Sequence, residues 1–459
     1  MLFRLFTFSL LVLLAACAST PELEMPKPPV PDAWPGVPEA GSSVSGTHWK
    51  QFFTDPQLQA LIAMALDNNR DLRIAAGRVQ EARAQFGLAK ADRFPSLSLT
   101  GSGAFITTPP DLVTAGSSST TERYDLGLSM LSYEVDFWGR LSGLSEAARF
   151  SYLASEEARR AVQLTLVADV ANAYFNYLQA SDAMEVARTT RELRQQSLEV
   201  IAKGKAIGGA YDLEYQTALG MLEGAQSTLD SAENQKNQAV NRLNFLLGNA
   251  VPVLPEGGLL TEQGLGIQIA PGLPSEVLLA RPDVMAAEQR LRATHANVAA
   301  ARAAFMPKVL LTATAGLASQ GLTGLFNGAA WAFQPSIALP LFDGGRTASG
   351  VDLAEARKVI AVAEYERTIQ LAFREVADLL SARAALSSQL KSAMASRATR
   401  GKLLEIANAR YGVGLVSYLE VLDAQREFVN ASQSVTQVRK AQLETATQLY
   451  KALGGGAAA

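Results

Sequence analysis

Hydrophobic and polar residues follow two rhythms along the chain. In WAFQPSIALPL, Trp331, Phe333, Ile337, Leu339 and Leu341 share one face, and Ala332, Gln334, Ser336 and Ala338 the other. SLSLTGS and YDLGLSM keep the same beat. Leu97 and Leu99 oppose Ser96, Ser98 and Thr100; Tyr124, Leu126, Leu128 and Met130 oppose Asp125, Gly127 and Ser129. Period-two runs predict β-strands. An apolar face backed by a small polar one matches transmembrane barrel strands, with a soluble sheet packed on one side as the alternative. Pro335 cannot donate to a ladder and predicts a bulge or a strand end.

The second rhythm is helical. From Leu141 to about Lys203 there is no proline, and Val162, Leu166, Val170, Ala173 and Tyr177 recur every three to four residues. This predicts one helix of about sixty residues, roughly 90 Å long at 1.5 Å per residue. Arg346 to about Arg410 repeats it. Asp55-Pro56 reads as an N-cap followed by proline at N1, opening a helix to about Asp92, and Arg281-Pro282-Asp283 opens another.

These elements occur twice. Asp71–Phe105 aligns with Asp283–Leu317, Val135–Phe150 with Leu341–Lys358, and Ile207–Leu219 with Val413–Gln425. Asp71 falls on Asp283, Pro95 on Pro307, Arg140 on Arg346, Gly208 on Gly414 and Glu214 on Glu420. The expected organisation is a first repeat over residues 55–250, a linker over 251–272 and a second repeat over 273–453. Each repeat reads helix, two strands, long helix, helix, and units of roughly 200 residues are too long for a solenoid. Four strands per chain cannot close a barrel, since the smallest bacterial barrels have about eight, and open edges in lipid leave backbone groups unsatisfied. If the strands cross a membrane, several chains must share the barrel. Three chains leave room for passage where two do not.

The ends and the composition narrow this further. Arg4, the apolar run Leu5–Leu14 and Leu14-Ala15-Ala16-Cys17 read as a signal peptide over residues 1–16 ending in a lipobox. Cys17 is the only cysteine and the expected lipidation site, so no internal disulfide can form. Residues 17–54 read as an extended lipidated arm and 454–459 as a flexible tail. Charged residues make up 19% of the chain and the net charge is -3, without a basic block, which argues against nucleic acid as a partner. The two histidines, His48 and His295, stand in no metal-ligand register, and Gly208-Gly209 and Gly344-Gly345 lack the Lys-Ser/Thr of a phosphate loop. No enzyme, cofactor or metal site is expected. The glycine pairs read as chain bends.

One stretch invites chemistry, GVGLVSYLEVLDAQREF from Gly412 to Phe428. Ser417-Tyr418-Leu419-Glu420 fits a capping box, with Ser417 at the N-cap and Glu420 at N3, and Asp423 follows as a second acid near the positive helix end. Acids three apart on one helix start are too close for a glycosidase pair. In a multi-chain tube the same two acids could line a narrow mouth.

Five segments carry a family resemblance: LPSEVLLARPDVMAAEQRL (Leu273–Leu291), the strand entries Phe94-Pro95 and Met306-Pro307, EVDFWGR, LPLFDGGR and RYGVGLVSYLEVLDAQ. In this order across a duplicated chain they resemble the TolC-type outer-membrane efflux factors, in their NodT-like lipoprotein branch. The resemblance implies an α+β membrane protein. It would be a homotrimer with a twelve-stranded transmembrane β-barrel continuous with a long periplasmic α-helical barrel. The implied partners are a periplasmic adaptor (membrane fusion protein), an inner-membrane pump of the resistance-nodulation-division type and outer-membrane lipid. Ala18 after Cys17 favours the outer membrane by resemblance to sorting in enteric bacteria. Matched by position, the family's aspartate ring at the periplasmic gate falls on Glu420 and Asp423, and its link between helix pairs on Tyr411 and Glu214. Gly208 and Gly414 fall at the helix turns. Two departures stand out: Glu420 replaces an aspartate, and Val416 stands where some members carry an arginine. Three copies of both acids would repel one another and attract cations. The implied function is passive, gated export of drugs or other small toxic solutes. The alternatives are an exit duct for type I protein secretion or for metal ions, or a structural periplasmic coiled-coil lipoprotein without a barrel.

Overall fold

The structure, a computed structural model, describes residues 23–31, 34, 48–113, 119–207, 211–248, 260, 263–266, 278–279 and 281–455. The expected signal peptide, Cys17, Gly208, most of the 251–272 linker and the last four residues lie outside the described residues. The chain divides into two compact units, one holding Arg78–Ser155 and Ala286–Tyr365, the other Pro28–Gly77, Glu156–Met285 and Glu366–Ala459.

The first unit holds one antiparallel sheet in sequence order: β1 (Ser98–Thr107), β2 (Thr120–Val135), β3 (Lys308–Ser319) and β4 (Ala329–Ala338). β1 and β4 are its edges. Register keeps the two faces distinct. Ser98 pairs with Ser129 and Ser129 with Thr314; Leu99 pairs with Leu128, Leu128 with Ala315, and Ala315 with Trp331. Leu99, Leu128, Trp331, Phe333 and Ile337 therefore stand on one exposed apolar face. Gly127 faces Gly316 across β2 and β3. A Cβ on Gly316 would lie 2.3 Å from the Leu126 carbonyl oxygen, so this close approach admits only glycine.

The bulge lies elsewhere than Pro335 suggests. Pro335 sits inside β4, paired with Leu311, and the β3–β4 register does not shift there. An edge strand tolerates the missing donor. The shift occurs in β2 between Met130 and Tyr133, where Ser132 takes φ 54° and its N–H reaches Thr312 Oγ1 at 3.3 Å. One extra residue inverts the alternation. Tyr133 and Val135 thereby rejoin the apolar face, and Glu134 the face of Leu310 and Lys308. β4 also stops at Ala338, short of Leu339 and Leu341.

The predicted helix from Pro56 to Asp92 is two helices. α2 (Pro56–Asn68), which follows the short α1 (Trp49–Phe52), ends at Asn69, and α3 (Arg70–Ala91) begins at once. Asn69 takes an extended ψ of 134°. Its Oδ1 accepts from Leu72 N–H at 3.0 Å and its Nδ2 donates to the Leu246 carbonyl at 2.8 Å. The side chain thus satisfies backbone groups that a break would orphan.

The long helices are as expected. α4 (Arg140–Ala206) and α7 (Arg346–Gly412) each span 67 residues; α5 (Asp212–Leu247) spans 36 and α8 (Tyr418–Ala452) 35. α6 (Pro282–Ala303) opens the second repeat. Each of the two 67-residue helices has an aspartate just ahead of it that caps its start. Asp136 accepts from Leu141 and Ser142 N–H at 3.0 and 2.7 Å, and Asp343 from Gly345 and Thr347 N–H at 3.0 and 2.9 Å. Gly344-Gly345 makes the predicted bend, both residues with positive φ.

The second unit has an aromatic and aliphatic core. Phe52 stacks on Tyr450 with centroids 4.4 Å apart, beside Phe53, Leu58, Ile62, Leu243 and Leu247, all buried. Tyr174 donates to Asp55 Oδ2 at 2.8 Å, while Asp55 caps α2 through Gln57 N–H. Arg281 ties the repeat boundary together. Its guanidinium donates to Asp283 at 3.0 and 2.8 Å, to Glu375 at 2.9 Å and to the Ala452 carbonyl at 2.7 Å.

Candidate functional site: the paired helix turns

All four described gate candidates lie in the second unit. α7 gives way to α8 through a turn that Gly414 makes possible. Its φ is 75°, its N–H donates to the Tyr411 carbonyl at 2.9 Å, and Leu415 N–H donates to the Arg410 carbonyl at 2.9 Å. These bonds satisfy the last carbonyls of α7, and the left-handed position suits glycine. Ser417 then stands at the N-cap of α8 with extended backbone.

The capping box predicted at Ser417 and Glu420 does not form. The Ser417 side chain makes no cap bond. Glu420 turns instead to Arg410 in the last turn of α7, Nη1 to Oε1 at 3.2 Å. A charged donor offers a stronger bond than a neutral backbone N–H, and the turn brings it within reach. The first repeat makes the opposite choice. Glu214, the counterpart of Glu420, accepts from the Tyr211 backbone N–H at 3.3 Å. Gly204 stands where Arg410 does, so no guanidinium competes. The cation available there, Lys205, pairs with Asp212 and lies 4.7 Å from the Tyr215 ring centroid.

Asp423 is also paired, with Arg426 one turn further along α8. Arg426 lies 3.6 Å from Glu427, which in turn lies 3.6 Å from Arg400. The counterparts of Asp423 and Arg426 are Thr217 and Gly220, so the first turn carries neither charge. Both acids of the predicted ring thus have an arginine from their own chain. This tempers the bare mutual repulsion expected from the sequence.

No hydrogen bond joins Tyr411 to Glu214. The cross-link between the repeats runs through a neighbour instead. Tyr418 and Ser197 share a hydrogen bond of 2.6 Å between α8 and α4, and the Tyr411 ring tilts against Tyr418 with centroids 5.1 Å apart. Arg194 lies one turn before Ser197, its Nη1 buried without a partner. Burial lowers its pKa, and the nearby Tyr418 opposes that shift. Sequence reasoning missed Tyr418, Ser197, Arg410 and Arg426. Arg426 was accessible as an i, i+3 partner of Asp423, whereas Ser197 lies 221 residues from Tyr418 with no local signal.

Apolar side chains crowd both turns and face outward. Ile207, Tyr211 and Leu213 flank the first, and Val413, Leu415 and Leu419 the second, all exposed. Among the described residues, no group of three or more His, Cys, Asp or Glu could hold a metal ion.

A family model described as outer membrane efflux protein matches residues 61–249 and 273–455. The chain belongs to the outer membrane efflux protein family. It is 42% identical to outer membrane protein OprJ of Pseudomonas aeruginosa, over 96% of this chain and 94% of that one. It is 39% identical to the cation efflux system protein CusC of Escherichia coli K12, over 99% of each. Among solved structures, the open state of the MtrE outer membrane channel of Neisseria gonorrhoeae matches with TM-score 0.86 at 33% identity, over 95% of this chain and 98% of that one. The protein is therefore an outer-membrane efflux channel. Its fold is α+β: each chain supplies four strands of a homotrimeric twelve-stranded transmembrane β-barrel and the long helices of a periplasmic α-helical barrel. The resemblance read from the five segments holds across the chain.

Proposed function

We propose that the channel is the passive exit duct of a tripartite pump, gated at the paired helix turns. Glu420 and Asp423 line the periplasmic mouth, with Tyr411, Glu214 and the turn glycines Gly208 and Gly414 shaping it. The observation that carries this reading is the unequal wiring of two homologous turns. Only the second turn bears the Arg410–Glu420 and Asp423–Arg426 pairs, whereas the first is bridged by Lys205–Asp212, so two differently charged turns alternate around a trimer. Charged rings at a narrow pore are a common means of selection.

The partners are a periplasmic adaptor and an inner-membrane pump of the resistance-nodulation-division type, which holds the energy source. The exposed apolar side chains at both turns favour a protein partner there, since large exposed apolar patches mark interaction surfaces. Cys17 carries the lipid that fixes the N-terminal arm to the outer membrane. The cargo is a drug or other small toxic solute. Cation cargo is a second reading, favoured by the likeness to a cation efflux protein, but Met- and His-rich linings are missing from the strands and long helices.

Planar-bilayer recording of the full-length protein tests the gate. Replacing Glu420→Ala together with Asp423→Ala is expected to raise conductance and reduce cation selectivity. Unchanged single-channel behaviour would sink the assignment.

A further inference from the structure

We infer that a basic cavity at the periplasmic end of the sheet is an anion-binding station, taking the phosphate or carboxylate group of a dissolved solute. It is an open groove of about 380 Å³ between the start of α4, the end of α6, the first residue of β3 and the early turns of α7. Arg140, Lys308 and Arg357 line it, with alanines, leucines, a glycine and Asn297 making up the rest. No carboxylate is among the lining residues.

The three cations on its lining are unequally partnered. Arg140 is held by Glu134 at 2.8 and 2.7 Å. Asp136 and Asp92 act on Arg140 from further off, and Asp136 is already bonded to the first turn of α4. Lys308 stands within electrostatic reach of Glu134. Neither Lys308 nor Arg357 forms an ion pair or hydrogen bond with a described residue. Glu355, two residues before Arg357, pairs with Arg302 at 2.7 Å. The positions three and four away from Arg357 along α7 are Leu353, Ala354, Ile360 and Ala361. Two cations therefore border a cavity with weakly polarisable walls, where an oxyanion interacts more strongly than in open water. A guanidinium offers such an anion paired N–H donors.

The side of the sheet decides between a solute and a lipid headgroup. Glu134 pairs with Leu310, two residues from Lys308, and this face continues through Thr312, Thr314 and Ser129. The opposite face carries Val309, Leu311, Trp331 and Ile337. Lipid contacts the apolar face of a barrel and water the polar one, so Lys308 belongs to the water-lined side. The station rests on the barrel fold and not on the gate. Three copies in the trimer would make a cationic ring, the arrangement that anion-conducting pores use.

Phosphorus-31 NMR of the full-length trimer in a phosphorus-free detergent tests it without requiring an open mouth. The line of added inorganic phosphate is expected to broaden in the parent protein. In Lys308→Gln with Arg357→Gln the apparent affinity is expected to fall about tenfold, and in Lys308→Arg with Arg357→Lys to persist. Equal broadening in the double glutamine variant, or none in the parent, overturns the proposal. So does preferential broadening of a short-chain phosphatidylglycerol, which would make the site a lipid one. Should the double variant fail to assemble, Arg357→Gln alone, on the exposed face of α7, gives the same comparison.

Discussion

Removing one oxygen from Tyr418 is expected to shift the resting equilibrium of the mouth. The Tyr418–Ser197 hydrogen bond, 2.6 Å long, joins α8 to α4. On the proposed gating, opening moves the second turn against the first repeat and would break this bond. Tyr418→Phe deletes only this bond and keeps the ring that packs 5.1 Å from Tyr411. A neutral side-chain bond contributes about 0.5–1.5 kcal/mol net. A concerted opening of three protomers breaks three of them, so the closed state loses about 1.5–4.5 kcal/mol. At 1.4 kcal/mol per factor of ten, the open-to-closed ratio rises roughly tenfold to a thousandfold. By contrast the Arg410–Glu420 pair, half-exposed on both sides, contributes about 0–1 kcal/mol per protomer. The assay is open probability in planar bilayers, with heat-sensitive gel migration to confirm intact trimers. Ser197→Ala should act alike, and the double variant no more strongly than either single one, because all three remove the same bond. Unchanged open probability in intact trimers refutes the reasoning, and so do additive effects.

Two further outcomes follow from buried charge. Arg281→Ala is expected to destabilise the protein by about 1–3 kcal/mol, read by chemical unfolding, because it strips its partner from the Ala452 carbonyl and from Asp283, while Glu375 keeps Lys451; Arg281→Lys should recover only part, lacking the planar fork. Burial raises the pKa of Asp182, and the Leu260 backbone N–H pulls it partly back. Its folded value exceeds its unfolded one, so stability falls as pH rises from the unfolded carboxylate range through the folded value, then levels off. Asp182→Asn should remove this slope, matching the parent in acid and exceeding it above the window, as melting temperatures from about pH 3 to pH 7 would show.

What the sequence reveals depends on the range of the interaction. The long helices were legible because proline is missing and the three-to-four spacing is sustained. The strands were legible because every other residue is apolar. The break at Asn69 was not, since the Leu246 carbonyl that stabilises it lies 177 residues away. The β2 bulge was hidden for a related reason. Nothing about Leu131-Ser132 is unusual locally, and the extra residue is needed only to match the partner strand. At the turn, S-x-x-E is a sound local motif, yet Arg410 from the preceding helix outcompetes it. The Tyr418–Ser197 bond illustrates the limit most clearly, because neither residue has a sequence feature that points to the other.

The two edges of the sheet have a consequence for how the channel is made. β1 and β4 each run ten residues with one side unpaired in the single chain. About five N–H and five C=O groups per edge then await a partner, each costing several kcal/mol in hydrocarbon. A lone chain cannot settle in the bilayer and wait. Stable membrane entry is therefore coupled to trimer closure. Before it, the sheet exposes two unpaired edges to water. With the exposed Leu99, Leu128, Trp331 and Phe333 that later meet lipid, these edges make the unassembled chain prone to aggregation.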